Sequence, residues 1–441
     1  MRVLEDYRTQ RFSNCKFSST YILTSVSRHS SLLKNIVFLL LAQGSNYVVP
    51  LITLPVLVSR LKPEGFGVIA FAQALAVYIQ LLADYGFSTS ATRHIAIYAS
   101  SPVATLREYV STIHACKFLL VFAVSTLALP VLYLWSGGGE SFIAGLLMMG
   151  GAIGNALTPL WYYQGINNMK VVAIATGLSK WAGAVAIFIF VRGPSDVLFA
   201  VCAYSIPPLV VAIVFTFNLR GKGLFELAAV DFRTMVRELR VGAPFFLTSA
   251  GAGVLANSSV IVLGLFFPAS LVGVYAAAEK IIRAAVGCMA PISQSVYPVN
   301  AANFAESPQE GFRSVRKTAT WLLLPAVIGT ALLYIATPRM LDFLHWTDPR
   351  YTSIIRYLCP WIVLGVINNV LGVQILSAMG RGRAYAHAFL LAALGTLLIM
   401  FVLTPVKAEM GVVMGMLGGE LILTMLLIFS VRSIVRELHS H

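Results

Sequence analysis

Apolar runs of helix-spanning length recur along almost the whole chain, from Asn35 to Arg432. An α-helix needs about 20 apolar residues to cross the roughly 30 Å of hydrocarbon in a bilayer. Each run is predicted to be helical, because lipid offers no partners for backbone polar groups. Of the 441 residues, 58% are hydrophobic and 11% are charged, whereas a soluble domain has about 25% charged residues. The sequence therefore predicts an all-α membrane protein.

We predict about twelve spans in two six-helix bundles, separated by the longest inner loop. The spans are Asn35–Val58, Phe66–Leu82, Tyr109–Trp135, Ser141–Tyr163, Val171–Val191, Asp196–Phe217, Val241–Phe266, Ser270–Val296, Ala319–Ala336, Tyr351–Met379, Ala384–Leu403 and Gly411–Val431. The predicted organisation is a polar cytoplasmic tail (1–34), an N-terminal bundle (35–218), a cytoplasmic linker (219–240), a C-terminal bundle (241–432) and a short cytoplasmic tail (433–441). Glu5 and Asp6 favour a disordered tail over a targeting presequence.

The distribution of basic residues predicts the orientation. Of the 32 Lys and Arg residues, 21 lie in the tails and in alternate loops, and five lie inside spans. The intervening loops hold only six, which are Arg60, Lys62, Arg192, Arg339, Arg350 and Lys407. Cytoplasmic loops are enriched in Lys and Arg, so both termini are predicted to be cytoplasmic. The net charge of +14 is explained in the same way and does not indicate nucleic-acid binding.

An internal repeat is indicated at the start of the second span of each half. Gly67–Ala72 reads GVIAFA and Gly273–Ala278 reads GVYAAA, each after a short outer turn. Transporters are often built from such repeats. We expect the two segments to occupy equivalent places in two bundles around a central cleft.

Cations inside the spans are the strongest functional signal. Lys117, Lys180 and Lys280 lie near the bilayer midplane, and Arg283 follows Lys280 on the same helix face. Buried charges of this kind usually face a cavity or a partner. One interpretation is that Glu279 and Arg283 neutralise each other while Lys280 pairs with a neighbouring helix. The favoured one is that all four cations line an aqueous cleft that attracts an anion.

Three carboxylates are candidates for binding a coupling ion: Asp84, Glu279 and Glu420. The alternatives are an interfacial helix end for Asp84 and a partner to a buried cation for Glu420. The aromatic run Trp161–Tyr163 is predicted to form an interfacial belt.

Covalent chemistry has no signature in this sequence. The GxxxxGK[ST], GxSxG and HExxH motifs are absent. The five Cys residues are scattered without a CxxC pair, so free thiols are expected and a metal site is not. No cofactor, catalytic residue or enzyme activity is predicted.

Three stretches together carry a family resemblance. The first runs from Asn46 to Arg93 and contains Asn46-Tyr47-Val48-Val49-Pro50, Gly65-Phe66-Gly67 and Tyr85-Gly86-Phe87. The second is Pro159–Gly165, which contains a W-x-x-Q-G turn, and the third is Gly273–Lys280. These residues resemble the Wzx-type polysaccharide flippases of the multidrug/oligosaccharidyl-lipid/polysaccharide exporter (MOP) superfamily. Asn167 and Asn168 depart from the charged residues that often follow the Gln-Gly turn in that family.

The resemblance implies a MATE-like fold and a protein of the bacterial inner membrane. It also implies the transfer of undecaprenyl-diphosphate-linked oligosaccharide to the periplasmic leaflet, for O-antigen or exopolysaccharide synthesis. Its partners would then be this lipid, membrane lipids, the polysaccharide polymerase and glycosyltransferases. The rivals are a cation-coupled drug exporter, a peptidoglycan lipid precursor flippase and, least favoured, a membrane-bound polymerase or glycosyltransferase.

Overall fold

The computed structural model describes residues 24–98, 102–226 and 230–439. Throughout these residues the regular secondary structure is helical. In chain order the α-helices are α1 Thr24–Asp84, α2 Phe87–Tyr98, α3 Val103–Ser136, α4 Gly139–Leu157, α5 Leu160–Gly165, α6 Met169–Phe190, α7 Val197–Gly221, α8 Phe232–Phe266, α9 Ala269–Gly287, α10 Ala290–Glu306, α11 Pro308–Phe343, α12 Arg350–Asn369, α13 Gly382–Lys407 and α14 Glu409–His439. A 3₁₀ turn, Pro194–Asp196, precedes α7, and α12 continues as a π-helix over Val370–Ser377.

The number of membrane spans agrees approximately with the prediction. Within the described ranges, nine helical stretches are long and apolar enough to cross a membrane. The first of them, Val48–Tyr98, contains the end of the first predicted span and the whole of the second, and α1 is interrupted between the two at Lys62, where the backbone φ is 60°. The predicted seventh span lies within α8, and the predicted eighth span begins in α9. The chain is therefore an all-α, multi-pass membrane protein with about twelve spans.

Two boundaries differ from the predicted ones. The predicted eighth span, Ser270–Val296, is divided, because α9 ends at Gly287 and α10 begins at Ala290. Pro291 lies in the first turn of α10, where a missing N–H is tolerated. At the amino terminus α1 already begins at Thr24, and residues 1–23 of the predicted tail lie outside the described residues. The division into two six-helix bundles around 219–240 stays a prediction.

A reciprocal glycine contact fixes how α1 crosses α9. A Cβ built on Gly67 would lie 1.8 Å from the carbonyl oxygen of Ala269, and a Cβ built on Gly273 would lie 1.8 Å from that of Pro63. Gly67 thus faces the residue four positions before Gly273, and Gly273 faces the residue four positions before Gly67. The two predicted repeat segments therefore pack against each other with the same geometry in both directions, at a separation that only glycine permits.

The aromatic run on α5 was predicted wrongly to be an interfacial belt. Trp161, Tyr162 and Tyr163 are 2%, 7% and 3% exposed. They pack into a core cluster with residues of α2, α3 and the loop after α7. The hydroxyl of Tyr163 donates a hydrogen bond to Asn218 Oδ1 at 2.9 Å. This run therefore joins α5 to α7 in the interior of the N-terminal half.

Candidate functional site: a cationic cavity between the two halves

A cavity of about 460 Å³ lies where α1, α4, α6 and α7 face α9. Three of the four predicted path cations line it: Lys180 from α6, and Lys280 and Arg283 from α9. The remaining polar lining comes from Gln73 and Gln80 on α1, Asn155 on α4 and Tyr204 on α7. The cavity thus receives cations from both halves of the chain.

Lys280 is held at the cavity wall by neutral groups of α1. Its ammonium donates a hydrogen bond to Gln73 Oε1 at 2.8 Å and lies 5.0 Å from the centre of the Phe66 ring. The glycine contact described above brings α1 and α9 close enough for this pairing. In the described part of the chain, no carboxylate lies within ion-pair distance of Lys280.

Arg283, one turn further along α9, is paired within its own helix. Its guanidinium lies 2.8 Å from Glu279 Oε1 and 5.3 Å from the centre of the Trp361 ring. Glu279 also accepts a hydrogen bond of 2.6 Å from the Ser259 hydroxyl of α8. The Glu279–Arg283 pair is therefore close to neutral, and Lys280 supplies the excess positive charge of α9 at the cavity.

Lys117 does not share this cavity. It is 4% exposed, and its ammonium donates to Asp84 Oδ1 at 2.9 Å and to the Ala156 carbonyl at 3.2 Å. Asp84 ends α1 and also accepts a hydrogen bond from the backbone N–H of Ser88 at 3.3 Å. These contacts join α1, α3 and α4, so the geometry favours a structural role for Lys117 and Asp84.

We expect Lys117→Met to lower the amount of protein in the membrane while each inserted molecule still transports. Loss of the cation leaves the Asp84 carboxylate, with 27% of its side chain exposed, without its charged partner, which costs about 1–3 kcal/mol. A loss of this size changes protein abundance several-fold. Adding Asp84→Asn should restore most of the protein, measured by quantitative immunoblot of membranes. Normal accumulation of Lys117→Met without transport would instead place Lys117 on the substrate path.

Glu420 on α14 has neutral partners. Its carboxylate accepts hydrogen bonds from Trp361 Nε1 at 2.9 Å and from Asn368 Nδ2 at 2.6 Å, both on α12. Within the described residues no cation lies at ion-pair distance, so the alternative of a Glu420–cation pair is not supported. Of the three candidate carboxylates, Asp84 and Glu279 have cationic partners, and Glu420 has hydrogen-bond donors instead.

The amides lining the cavity were not predicted as site residues. Gln73, Gln80 and Asn155 interrupt apolar helices, and polar groups inside spans often mark a pathway. The spacing of the two glutamines could have indicated a polar face, because Gln73 and Gln80 are seven residues apart and so lie on the same side of α1.

Comparison with known proteins identifies the family. The family model described as "Polysaccharide biosynthesis protein" matches residues 32–304. The chain belongs to this polysaccharide biosynthesis family. The match confirms the resemblance found in the sequence.

Full-length relatives and solved structures resemble this member of the polysaccharide biosynthesis family. A curated protein of Escherichia coli (strain K12), named "Putative O-antigen transporter", is 28% identical over 416 residues, with 91% of this chain and 97% of the relative covered. A protein of the same name from Shigella dysenteriae is 27% identical, with 90% and 100% covered. An inward-facing multidrug resistance MATE family transporter of the MOP superfamily superposes with a TM-score of 0.69 at 16% identity, with 92% of this chain and 99% of that chain covered. The lipid II flippase MurJ also gives 0.69, at 13% identity, with 90% and 87% covered. These structures confirm the predicted fold.

Proposed function

We propose that the protein moves undecaprenyl-diphosphate-linked oligosaccharide units from the cytoplasmic to the periplasmic leaflet of the bacterial inner membrane, and that it is a transporter and not an enzyme. The proposal is supported by membership of the polysaccharide biosynthesis family and by two relatives named as O-antigen transporters. The observation that carries it is the central cavity, which presents Lys180, Lys280 and Arg283 from the two halves of the chain.

The chemistry of the substrate explains why such a cavity is needed. Lipid does not solvate a diphosphate, and the transfer of a charge into hydrocarbon is costly. Cations around an aqueous cavity lower this cost while the isoprenoid chain stays in the bilayer. Movement of the two halves around a central site then exposes the head group to each side in turn. A drug exporter for cationic compounds needs the opposite charge in its cavity.

Orientation and partners follow from the same proposal. The distribution of Lys and Arg favours cytoplasmic termini. The glycosyltransferases that build the unit would supply the substrate on the cytoplasmic side, and the polymerase would receive it on the periplasmic side.

Energy coupling is proposed to involve Glu420, whose partners are neutral. Glu420→Gln should then abolish acceleration of transport by an imposed proton or sodium gradient in vesicles and leave gradient-free exchange intact. An undiminished response to both gradients would exclude this carboxylate.

The proposed function is tested by complementation. A bacterial strain that lacks its own oligosaccharide flippase should regain surface polysaccharide when it expresses this protein. At equal amounts of inserted protein, Lys280→Arg should restore more polysaccharide than Lys280→Ala. No restoration despite normal membrane insertion, across strains with different repeat units, would contradict the proposal.

A further inference from the structure

A second compartment of about 210 Å³ adjoins the cationic cavity in the N-terminal half. It lies between α1, α4, α6 and α7. Pro50, Asn155, Lys180 and Tyr204 line both spaces. The compartment has less than half the volume of the cationic cavity.

Asn155 is the polar group placed to act at this junction. It lies one turn after Gly151 and Ala152 on the cavity face of α4, and its side chain is exposed to the shared space. Within the described ranges its amide has no hydrogen-bond partner. One carbonyl acceptor and two N–H donors are therefore available to a ligand. Tyr204, by contrast, already lies 3.4 Å from the Thr53 hydroxyl.

Apart from the Ser179 hydroxyl and the Lys180 ammonium, the rest of the compartment wall is mostly apolar. The hydroxyls of Thr158 and Thr176 donate to the carbonyls four residues earlier, those of Gly154 and Val172, at 2.8 Å and 2.9 Å. Ala175, Gly183 and Ala203 contribute small apolar surfaces. An amide at the mouth of a small apolar pocket fits a sugar ring, which has hydroxyls at its edge and C–H groups on its faces. The cation in the lining of the compartment, Lys180, is shared with the larger cavity, so its charge lies at the junction, and an isoprenoid has no group that the amide could bind.

We propose that this compartment receives the sugar joined to the diphosphate, and that Asn155 determines which first sugar is accepted. The inference rests on the proposed function, because it seats the diphosphate at the neighbouring cations. Lys180 lines both spaces, so the phosphate and the first sugar would sit on its two sides. Specificity then arises because a site that hydrogen-bonds one hydroxyl binds less well a sugar in which that hydroxyl is missing or in another position.

The test is equilibrium binding to the full chain in lipid nanodiscs. Three ligands are compared: polyprenyl diphosphate without sugar, the same lipid with one hexose, and the same lipid with one N-acetylhexosamine. Asn155→Leu should bind the sugar-free lipid like the wild type. It should lose about two- to tenfold in affinity for the preferred glycosylated lipid, the range expected for one hydrogen bond, and lose the preference between the sugars. Asn155→Ser, which keeps a hydroxyl, should retain part of the preference.

Gln80→Leu is the matched control, because Gln80 lines only the larger cavity and its change should leave the sugar preference intact. Unchanged affinities and preference in Asn155→Leu would overturn the inference alone. Equal changes for the glycosylated and sugar-free lipids would also overturn it and would indicate that the compartment holds the isoprenoid chain. If the wild type binds none of the three lipids, the proposed function fails together with the inference.

Discussion

Replacing Lys280 with alanine is expected to stop the appearance of surface polysaccharide at a normal level of membrane-inserted protein. Lys280→Arg is expected to retain part of the activity, because attraction of a diphosphate needs the positive charge more than the shape of the ammonium. The readout is surface polysaccharide per inserted molecule in the complemented strain. A loss of at least about tenfold is expected, since each 1.4 kcal/mol added to a barrier slows a step tenfold.

The physical reason lies in the surroundings of Lys280. The ammonium has Gln73 and the Phe66 ring as neighbours, so its removal leaves no unpaired carboxylate and little loss of stability is expected. Two charges about 4 Å apart interact by roughly 4 kcal/mol at an effective dielectric constant of 20, which is ample for a tenfold effect.

Arg356→Ala provides the matched control for Lys280→Ala. Arg356 is also a cation within a predicted span, but it stacks over Tyr334 at 4.9 Å and does not line the cavity. Its loss should leave transport per molecule unchanged. Normal transport by Lys280→Ala, or failure only because that variant does not accumulate, would contradict the role of the cavity cations.

Alanine at Gly67 is expected to open the predicted periplasmic side of the cavity. The new Cβ would overlap the Ala269 carbonyl oxygen, and overpacking of this kind costs about 1–3 kcal/mol. That cost falls on the conformation in which α1 and α9 touch, so the equilibrium should shift towards states in which they separate. Gly273→Ala should have the same effect through Pro63.

The measurement is labelling of a cysteine that lines the cavity, Val77→Cys, in a cysteine-free background. A membrane-impermeant maleimide added from outside should react at least about fivefold faster when Gly67→Ala is also present. Gly177→Ala is the control, because a Cβ there meets nothing within 4 Å. Cysteines at Gly138 and Gly221 check the orientation, with labelling expected only at Gly138. Unchanged labelling of a stable Gly67→Ala protein would show that this contact does not close the outer side.

The parts of the fold that depend on burial in lipid could be predicted from the sequence. Hydrophobic length is a local property, so the spans of α3, α6 and α13 were predicted to within several residues. The break between α9 and α10 was missed for two reasons. Cys288 and Met289 are as apolar as the rest of the predicted span, and a proline such as Pro291 does not mark a helix boundary by itself, because prolines also occur inside membrane helices.

The candidate site could be predicted only in part. The sequence gives the depth of a side chain in the membrane, but it does not show which neighbouring helix that side chain faces. Lys117 and Lys280 lie at similar predicted depths, yet Lys117 meets an aspartate 33 residues away in sequence and Lys280 meets a glutamine on a helix of the other half. Which helices are neighbours decides such pairings, and this is a tertiary property. Asn155 was missed for a related reason, since a single amide in an apolar run gives no sign of the space beside it.

The most direct measurement is translocation by the purified protein in liposomes. A fluorescent polyprenyl-diphosphate-linked oligosaccharide is placed in both leaflets, and its accessibility to a quencher added outside is followed over time. The wild-type protein should expose the inner pool, Lys280→Ala should do so at least about tenfold more slowly, and a polyprenyl-linked sugar without the diphosphate should not be accelerated. Equal rates for the charged and the neutral lipid, or a wild-type rate no faster than that of empty liposomes, would contradict a cation-lined path for a lipid diphosphate.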